Sequence, residues 1–364
     1  MKEIHILIVE DHNETRQSWE RDIREFNRKP DLKIAFIASF VTTRDAAINA
    51  IHRSAFDCAV VDLRLPRAKD GELPEGPLGN DVVAALLENS GVPAVVYSAY
   101  VAEVGDHVAQ SHIKVVTKAG GASLRILSEF SAQADLMEAM RQTRLVISKQ
   151  TSRLFNESIW PRWQHKWSKS IDKETVNIII ARQTASHISA ALSDQPSRHH
   201  PEEFYVVPAL HSDRLDTGDI LAIGKGTYVV LTPRCNMANN KQPKNLLLAA
   251  MTDVPDWPAW KDALLGQSNS KRDKAADRIR SHATQGHEIS THFLPPLDGK
   301  GPWLVQFQEA RTVKSSAAAR LIPRRIASIA PQFVPNLVQR YAAYLGRIGQ
   351  PDIGSAELEE LCKA

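Results

Sequence analysis

The stretch CAVVDLRLP, residues 58–66, joins a short apolar run to a single aspartate, Asp62. Four small or β-branched residues in a row are typical of a central strand in a parallel sheet, because both faces of such a strand are buried. Asp62 follows the run directly and is therefore predicted to lie at the carboxyl end of the strand. In open parallel sheets that edge is where ligands bind.

Further apolar runs occur on both sides of this stretch, and helical patterns separate them. The predicted strands are Ile4–Val9, Lys33–Phe40, Cys58–Val61, Pro93–Tyr97 and Ile113–Val116. The helical patterns between them cover residues 13–26, 43–53 and 81–89. Strands that alternate with helices predict an α/β fold, here a doubly wound, five-stranded parallel sheet.

Polar residues follow four of these strands. Glu10 and Asp11 come after the first strand, Asp62 after the third, Ser98 after the fourth and Lys118 after the fifth. Since parallel strands end at one edge of the sheet, we expect these side chains to form one site. Three neighbouring carboxylates bind a hard cation through oxygen, and Mg²⁺ is the cation that we expect. An aspartate can attack a phosphoryl group, which a lysine can pair with as a point charge.

The N-terminal part resembles the receiver domains of two-component response regulators, across residues 1–130. The matching text is ILIVED at 6–11, DLRLP at 62–66, DG at 70–71, YSA at 97–99 and TKA at 117–119. Order, spacing and strand placement of these motifs agree with the family. The resemblance implies a flavodoxin-like fold and a phosphoprotein that acts in signal transduction.

The resemblance also implies a role for each residue of the site. Asp62 is the expected phosphoacceptor, taking its phosphoryl group from a sensor histidine kinase in a phosphorelay. Glu10, Asp11, Asp62 and the backbone carbonyl of Arg64 are the expected Mg²⁺ ligands. With Asp62, the catalytic residues are Ser98 and Lys118, which form the phosphate-sensing pair. The receiver part is expected to perform only phosphotransfer and autodephosphorylation, and an enzymatic activity of the C-terminal half is left open.

Three departures from the family pattern bear on the output. Ala119 stands where the family usually has a proline, and Val115 stands where it has a switch aromatic. The loop over residues 67–79 is longer than usual. The first two departures argue against the usual phosphorylation-driven change of the domain surface. We therefore weigh two outputs, namely protein–protein interaction and a phosphate sink that competes for phosphoryl groups.

The remaining sequence predicts three further segments. Residues 131–196 form a helical connector, in which Asp172 is a candidate N-cap for a helix over 173–192. Residues 197–310 form a β-rich domain of unknown function, predicted as a small barrel or sandwich from the strand patterns at 204–207, 219–223, 227–231, 246–250 and 303–307. Residues 311–364 form a basic helical C-terminal segment, with a helical pattern over 315–347.

Charge is unevenly distributed and raises an alternative function. Residues 1–150 have a net charge of −3, and the remainder has a net charge of +6. The segment 311–351 contains seven Arg or Lys residues and no acid. A nucleic-acid-binding regulator that uses this segment is therefore the alternative. A compact helix-turn-helix pattern is missing, so sequence-specific binding is not expected.

Residues with catalytic or metal-binding chemistry are sparse in the C-terminal half. The motif TPRCN at 232–236 contains Cys235, and His282, His287 and His292 follow later in the chain. A buried structural cysteine and a metal site with these histidines are both open at this point. The sequence lacks a P-loop motif, which excludes the commonest nucleotide-hydrolase signature.

Apolar patterning and domain architecture give expectations for the cellular location and the partners of the protein. No run of about 18 apolar residues and no signal-peptide pattern occurs, so a cytoplasmic protein without a membrane partner is expected. The architecture and the Thr-Pro-x-Cys motif also resemble receiver-containing regulators of bacterial anti-phage phosphorelay loci. That resemblance implies antiviral defence, with other receiver or effector proteins of the same relay as partners. A homodimer is left open.

Overall fold

The computed structural model describes residues 2–53, 56–67, 76–109, 112–168, 172–193, 199–238 and 244–347, and the single residues 354, 357 and 363. The chain divides into two compact units, Met1–Gln195 and Pro196–Ala364. No helix among these described residues is long and apolar enough to cross a membrane.

The first unit contains a five-stranded parallel sheet with the strand order β2-β1-β3-β4-β5. Its strands are β1 (Lys2–Val9), β2 (Ile34–Val41), β3 (Cys58–Val61), β4 (Ala94–Ser98) and β5 (Lys114–Thr117). The helices of the sheet region are α1 (Asn13–Asn27), α2 (Arg44–Arg53), α3 (Gly79–Asn89), α4 (Asp106–Ala109) and α5 (Ala122–Ala132). This order is the flavodoxin-like topology, so the predicted fold class of the N-terminal part is confirmed.

Successive side chains of β1 point to opposite faces of the sheet, and apolar residues occur on both faces. Helices therefore cover both faces. Ile4, Ile6 and Ile8 pack into one core, which includes residues of α1 and α5. Leu7 and Val9 point to the opposite face and pack into a second core, which includes residues of α2 and α3. Both faces of the central strands are therefore buried, as an all-parallel sheet requires.

The strand order reverses between β1 and β3. The chain leaves β1 toward β2 on one side and returns to β3 on the other, which opens a crevice at the carboxyl ends of β1 and β3. Glu10 follows β1 and Asp62 follows β3, so they flank this crevice. The fold thus places the predicted site at a topological switch point.

Two long helices follow α5 within the first unit. They are α6 (Ala134–Leu154) and, after the short α7 (Trp160–Arg162), α8 (Lys173–Ser193). Met137 of α6 is buried in the core beside α1 and α5. The backbone N–H of Thr175 donates to Asp172 Oδ1 at 2.9 Å, so the predicted N-cap of α8 is confirmed.

The second unit contains a seven-stranded sheet with the order β10-β11-β9-β8-β7-β12-β6. Its strands, which pair antiparallel, are β6 (Tyr205–Val206), β7 (Asp219–Ile223), β8 (Gly226–Val230), β9 (Asn245–Asp253), β10 (Thr291–Leu294), β11 (Trp303–Lys314) and β12 (Arg325–Ile329). The helices are α9 (Arg234–Ala238), α10 (Trp257–Leu265), α11 (Asn269–Ala283), α12 (Ala318–Leu321) and α13 (Val334–Leu345). The sequence predicted a β-rich region followed by C-terminal helices, and the structure confirms this prediction.

The sheet of the second unit is covered on both faces by helices. Ile220 lies in a core that includes Leu337 of α13. Its neighbour Leu221 points the other way, into a core that includes Leu321 of α12. The described strands thus form one sheet between helices. The sequence had predicted either a small barrel or a sandwich for this region.

The segment 311–347 is not helical throughout, which corrects the sequence-based expectation. Residues 311–314 complete β11, and β12 occupies Arg325–Ile329. Ala327, Ser328 and Ile329 are all buried, so β12 ends in a short buried run without alternation. The alanines at 317–319 favour helix, and the short strand that follows them was therefore not recognised.

Gly79, the first residue of α3, lies against the backbone of Asp62 and Leu63. A Cβ atom at Gly79 would lie 2.1 Å from the carbonyl oxygen of Asp62 and 2.6 Å from Leu63 Cα. We expect Gly79→Ala to destabilise the protein by about 1–3 kcal/mol, because backbone must move to relieve the overlap. Chemical denaturation measures this change.

Gly76→Ala is the matched control. No atom lies within 4 Å of a Cβ at Gly76, so this variant is expected to retain wild-type stability. Equal stability of the two variants would contradict the role given to Gly79.

Candidate functional site

Asp62 lies at the end of β3 and is only 5% exposed. Its backbone N–H donates to the carbonyl of Val9 at 2.9 Å, which ties the ends of β3 and β1 together. Its carboxylate oxygen Oδ1 accepts a hydrogen bond from the backbone N–H of Leu63 at 2.7 Å. The other carboxylate oxygen faces the lysine that follows β5.

Lys118 connects the two sides of the crevice. Its Nζ lies 2.6 Å from Asp62 Oδ2 and 2.7 Å from Glu10 Oε2. Although burial alone lowers the pKa of Lys118, the hydrogen bonds to Asp62 and Glu10 outweigh it and raise that pKa above its ordinary value. Lys118 is therefore a fixed positive charge between two carboxylates.

Glu10 is the most deeply buried acid of the site, with 1% of its surface exposed. Burial raises the pKa of Glu10 above its ordinary value, and the hydrogen bond and charge of Lys118 partly offset that effect. Its Oε1 accepts a hydrogen bond from the backbone N–H of His12 at 3.2 Å.

The structure brings the predicted acids together and adds a histidine. Glu10, Asp11, His12 and Asp62 offer ligand atoms that all lie within 4.8 Å of one another. His12 Nδ1 lies 2.9 Å from Asp11 Oδ1, and its side chain is largely exposed. His12 was not predicted as a site residue, although its position directly after the acidic pair and before α1 was a signal.

Ser98 ends β4, the strand beside β3, and is fully buried. Its hydroxyl oxygen accepts a hydrogen bond from the backbone N–H of Tyr100 at 3.2 Å. Its carbonyl accepts from the backbone N–H of Lys118 at 3.2 Å, which links the ends of β4 and β5. Ser98 and Lys118, the predicted phosphate-sensing pair, are therefore both held at the carboxyl ends of the parallel strands.

Arg64 lies at the mouth of the crevice. Its side chain forms an ion pair with Glu103 and covers the ring of Tyr100, with 3.7 Å from Cζ to the ring centroid. Val115 is exposed on β5. The metal-ligand role of the Arg64 carbonyl stays a prediction, and the DG motif at 70–71 lies outside the described residues.

Cys235 does not join the histidines in a metal-binding group. Across the described ranges, the only group of three or more potential ligands that lie close together is the one around Asp62. His282 and His287 stack at 4.6 Å between ring centroids. Burial lowers the pKa of His287 to about 4 and that of His292 to about 3, so both are neutral.

Two basic residues of the C-terminal segment form contacts within the second unit. The side chain of Arg325 is buried and pairs with Asp219 at 2.8 Å. Arg340 donates hydrogen bonds to the carbonyls of Gln285, Glu288 and Thr291. The exposed positive charge of this segment is therefore smaller than its composition indicates.

Similar solved structures are receiver domains. One, from a Pseudomonas aeruginosa sensor histidine kinase and described with a magnesium ion coordinated in its active site cleft, is 20% identical. That match covers 35% of this chain and 98% of the other, with a TM-score of 0.27. The receiver domain of Erythrobacter litoralis PhyR is 20% identical over 36% of this chain and 92% of the other, with a TM-score of 0.28. A CheY-like domain from Methylobacillus flagellatus is 18% identical over 35% and 98%, with a TM-score of 0.27. No family model and no curated protein matches the chain.

The raised pKa of Glu10 has a consequence for stability. The folded state holds the proton of Glu10 more tightly than the unfolded chain does, in which the pKa is near 4.5. The stabilising contribution of Glu10 is therefore fully present at pH values below the unfolded pKa. It is lost as the pH rises through the folded pKa. Without divalent cations, wild type should lose stability relative to Glu10→Gln as the pH rises from 4.5 toward neutrality.

Thermal unfolding of both proteins across this range measures the effect. A stability difference that does not change with pH would contradict the assignment of a raised pKa to Glu10.

Proposed function

We propose that this chain is a response regulator that accepts a phosphoryl group on Asp62 from a sensor histidine kinase. The observation that carries the proposal is the buried Asp62 carboxylate, which contacts the Lys118 ammonium and lies beside the acids that follow β1. The switch-point position of this arrangement supports the proposal, because parallel sheets bind their ligands there.

The donor set fits a magnesium ion. Glu10, Asp11 and Asp62 supply carboxylate oxygens, which Mg²⁺ prefers, and three carboxylates exceed the single charge of Lys118. These acids and the Arg64 carbonyl would hold the ion. When bound, Mg²⁺ supplies neutralisation of the charge on the phosphoryl oxygens.

The residues of the chain account for the transfer itself. An oxygen of Asp62 forms a bond to phosphorus, and the bond between phosphorus and the imidazole nitrogen of the donor breaks. The imidazole leaves with the electron pair of that bond. Lys118 then pairs with the transferred group as a point charge, and the Ser98 hydroxyl donates to one of its oxygens.

The output that we propose is either protein–protein interaction or a phosphate sink. The exposed Val115 lacks a ring that could move between two positions. Tyr97 is buried against Trp19, and Tyr100 lies under Arg64. These contacts support the view that phosphorylation changes the domain surface little. In the native relay, Asp62→Ala should raise basal effector activity if the protein is a sink and silence the response if it drives output.

Removing the carboxylate of Asp62 should abolish phosphorylation of the chain. Asp62→Asn should lose Mg²⁺-dependent labelling by a small phosphodonor, because the amide oxygen is a poor nucleophile. Intact-mass analysis measures the labelled fraction. Asp81→Asn is the control, since Asp81 is an exposed acid of the same unit that pairs with Arg44. Wild-type labelling of Asp62→Asn would refute the assignment.

Asp11 is one of the proposed Mg²⁺ ligands. Asp11→Ala should weaken Mg²⁺ binding by at least about tenfold, because one oxygen ligand is removed. Titration calorimetry measures the affinity, and Asp106→Ala, at an exposed acid of α4, serves as the control. Unchanged affinity in Asp11→Ala would place the ion elsewhere.

Nucleic-acid binding by the C-terminal segment is expected to be weak. Arg320, Arg324 and Arg347 are exposed, so any affinity should depend on them and fall steeply with salt. Fluorescence anisotropy with a duplex at two salt concentrations measures this. Tight binding that survives high salt would favour the nucleic-acid-binding alternative instead.

A further inference from the structure

A cavity of about 310 Å³ lies in the second unit, beside β12 and α13. One wall is apolar and includes Ile329, Val334 and Val338. The other end is polar and includes His211, Asp216 and Arg234. A mostly apolar cavity of this size with a few polar groups at one end is typical of small-molecule sites.

Two motifs of the sequence meet at this cavity. The text LDTGDI at 215–220 supplies Asp216, and TPRCN at 232–236 supplies Arg234. The two segments are joined through Thr217, whose hydroxyl donates to the carbonyl of Thr232 at 2.6 Å. The phosphoacceptor site uses neither motif.

Asp219, which lines the cavity, belongs to a buried ion pair. Asp219 is 1% exposed at its side chain and lies 2.8 Å from Arg325, which is 7% exposed. Arg325 also donates to the backbone carbonyls of His211 and Arg214, and Ser328 donates to Asp219. Since buried ion pairs add little net stability, this one is better explained by the loop that it holds in place.

The polar end carries an excess of positive charge. Arg234 Nε lies 3.0 Å from Asp216 Oδ2, and Arg234 Nη2 lies 3.3 Å from His211 Nε2. Arg214 Nη2 lies 2.9 Å from the same histidine nitrogen. With the Asp219–Arg325 pair included, three guanidinium groups surround two carboxylates. Of these charged groups, Asp216, Asp219 and Arg234 line the cavity itself. Arg234 also has N–H donors beyond the two that these contacts use.

We infer that this cavity binds a small amphipathic anion, with its carboxylate at Arg234 and its apolar body against Val334 and Val338. The apolar wall gains by excluding water, and the carboxylate forms a charge-assisted hydrogen bond with a guanidinium that is already oriented. The second unit would then respond to a small molecule independently of Asp62.

The test is titration calorimetry of the full chain with octanoate as the probe. We expect saturable binding of one octanoate per chain and at least about tenfold weaker binding of octanol, which has the same body without the charge. Arg234→Gln should weaken octanoate binding by about tenfold or more, as expected for loss of a charge-assisted contact.

Two further variants make the result decisive. Val338→Phe, at a partly exposed rim position of α13, should reduce binding by filling the cavity. Arg320→Ala, at an exposed arginine outside this cavity, should bind octanoate as wild type does. Absence of saturable binding, equal affinity for octanol, or wild-type affinity in both Arg234→Gln and Val338→Phe would overturn the inference.

Discussion

The ammonium group of Lys118 lies between the carboxylates of Asp62 and Glu10, and the chemistry of the first unit depends on that contact. Three acids meet in a partly buried crevice, where like charges repel strongly. Lys118 offsets part of this repulsion and leaves a negative excess, which favours a divalent cation. In the proposed function, the same charge would pair with the transferred phosphoryl group.

Parallel strand pairing sets the geometry around that contact. The ends of β1, β3, β4 and β5 are tied by backbone hydrogen bonds from Asp62 to Val9 and from Lys118 to Ser98. Gly79 lets α3 approach the backbone of Asp62 more closely than any side chain would allow. The site residues are therefore held by the sheet itself, which would limit the reorganisation needed for the proposed phosphotransfer.

Much of this site could be predicted from the sequence, because strand ends are readable from apolar runs. Glu10, Asp11, Asp62 and Lys118 all lie where those runs placed them. The role of Gly79 could not be predicted, since it depends on how closely a helix approaches a distant strand. Short strands such as β12 were obscured by neighbouring helix-favouring residues. The burial of Arg325 depends on a partner 106 positions away, which no local pattern indicates.

Mapping the modified residue tests the central claim most directly. The intact chain is treated with acetyl phosphate and Mg²⁺, the acyl phosphate is reduced with borohydride, and the product is located by tandem mass spectrometry. The account predicts that Asp62 carries the reduced product. A product at another acidic residue, or none in fully folded protein, would contradict it.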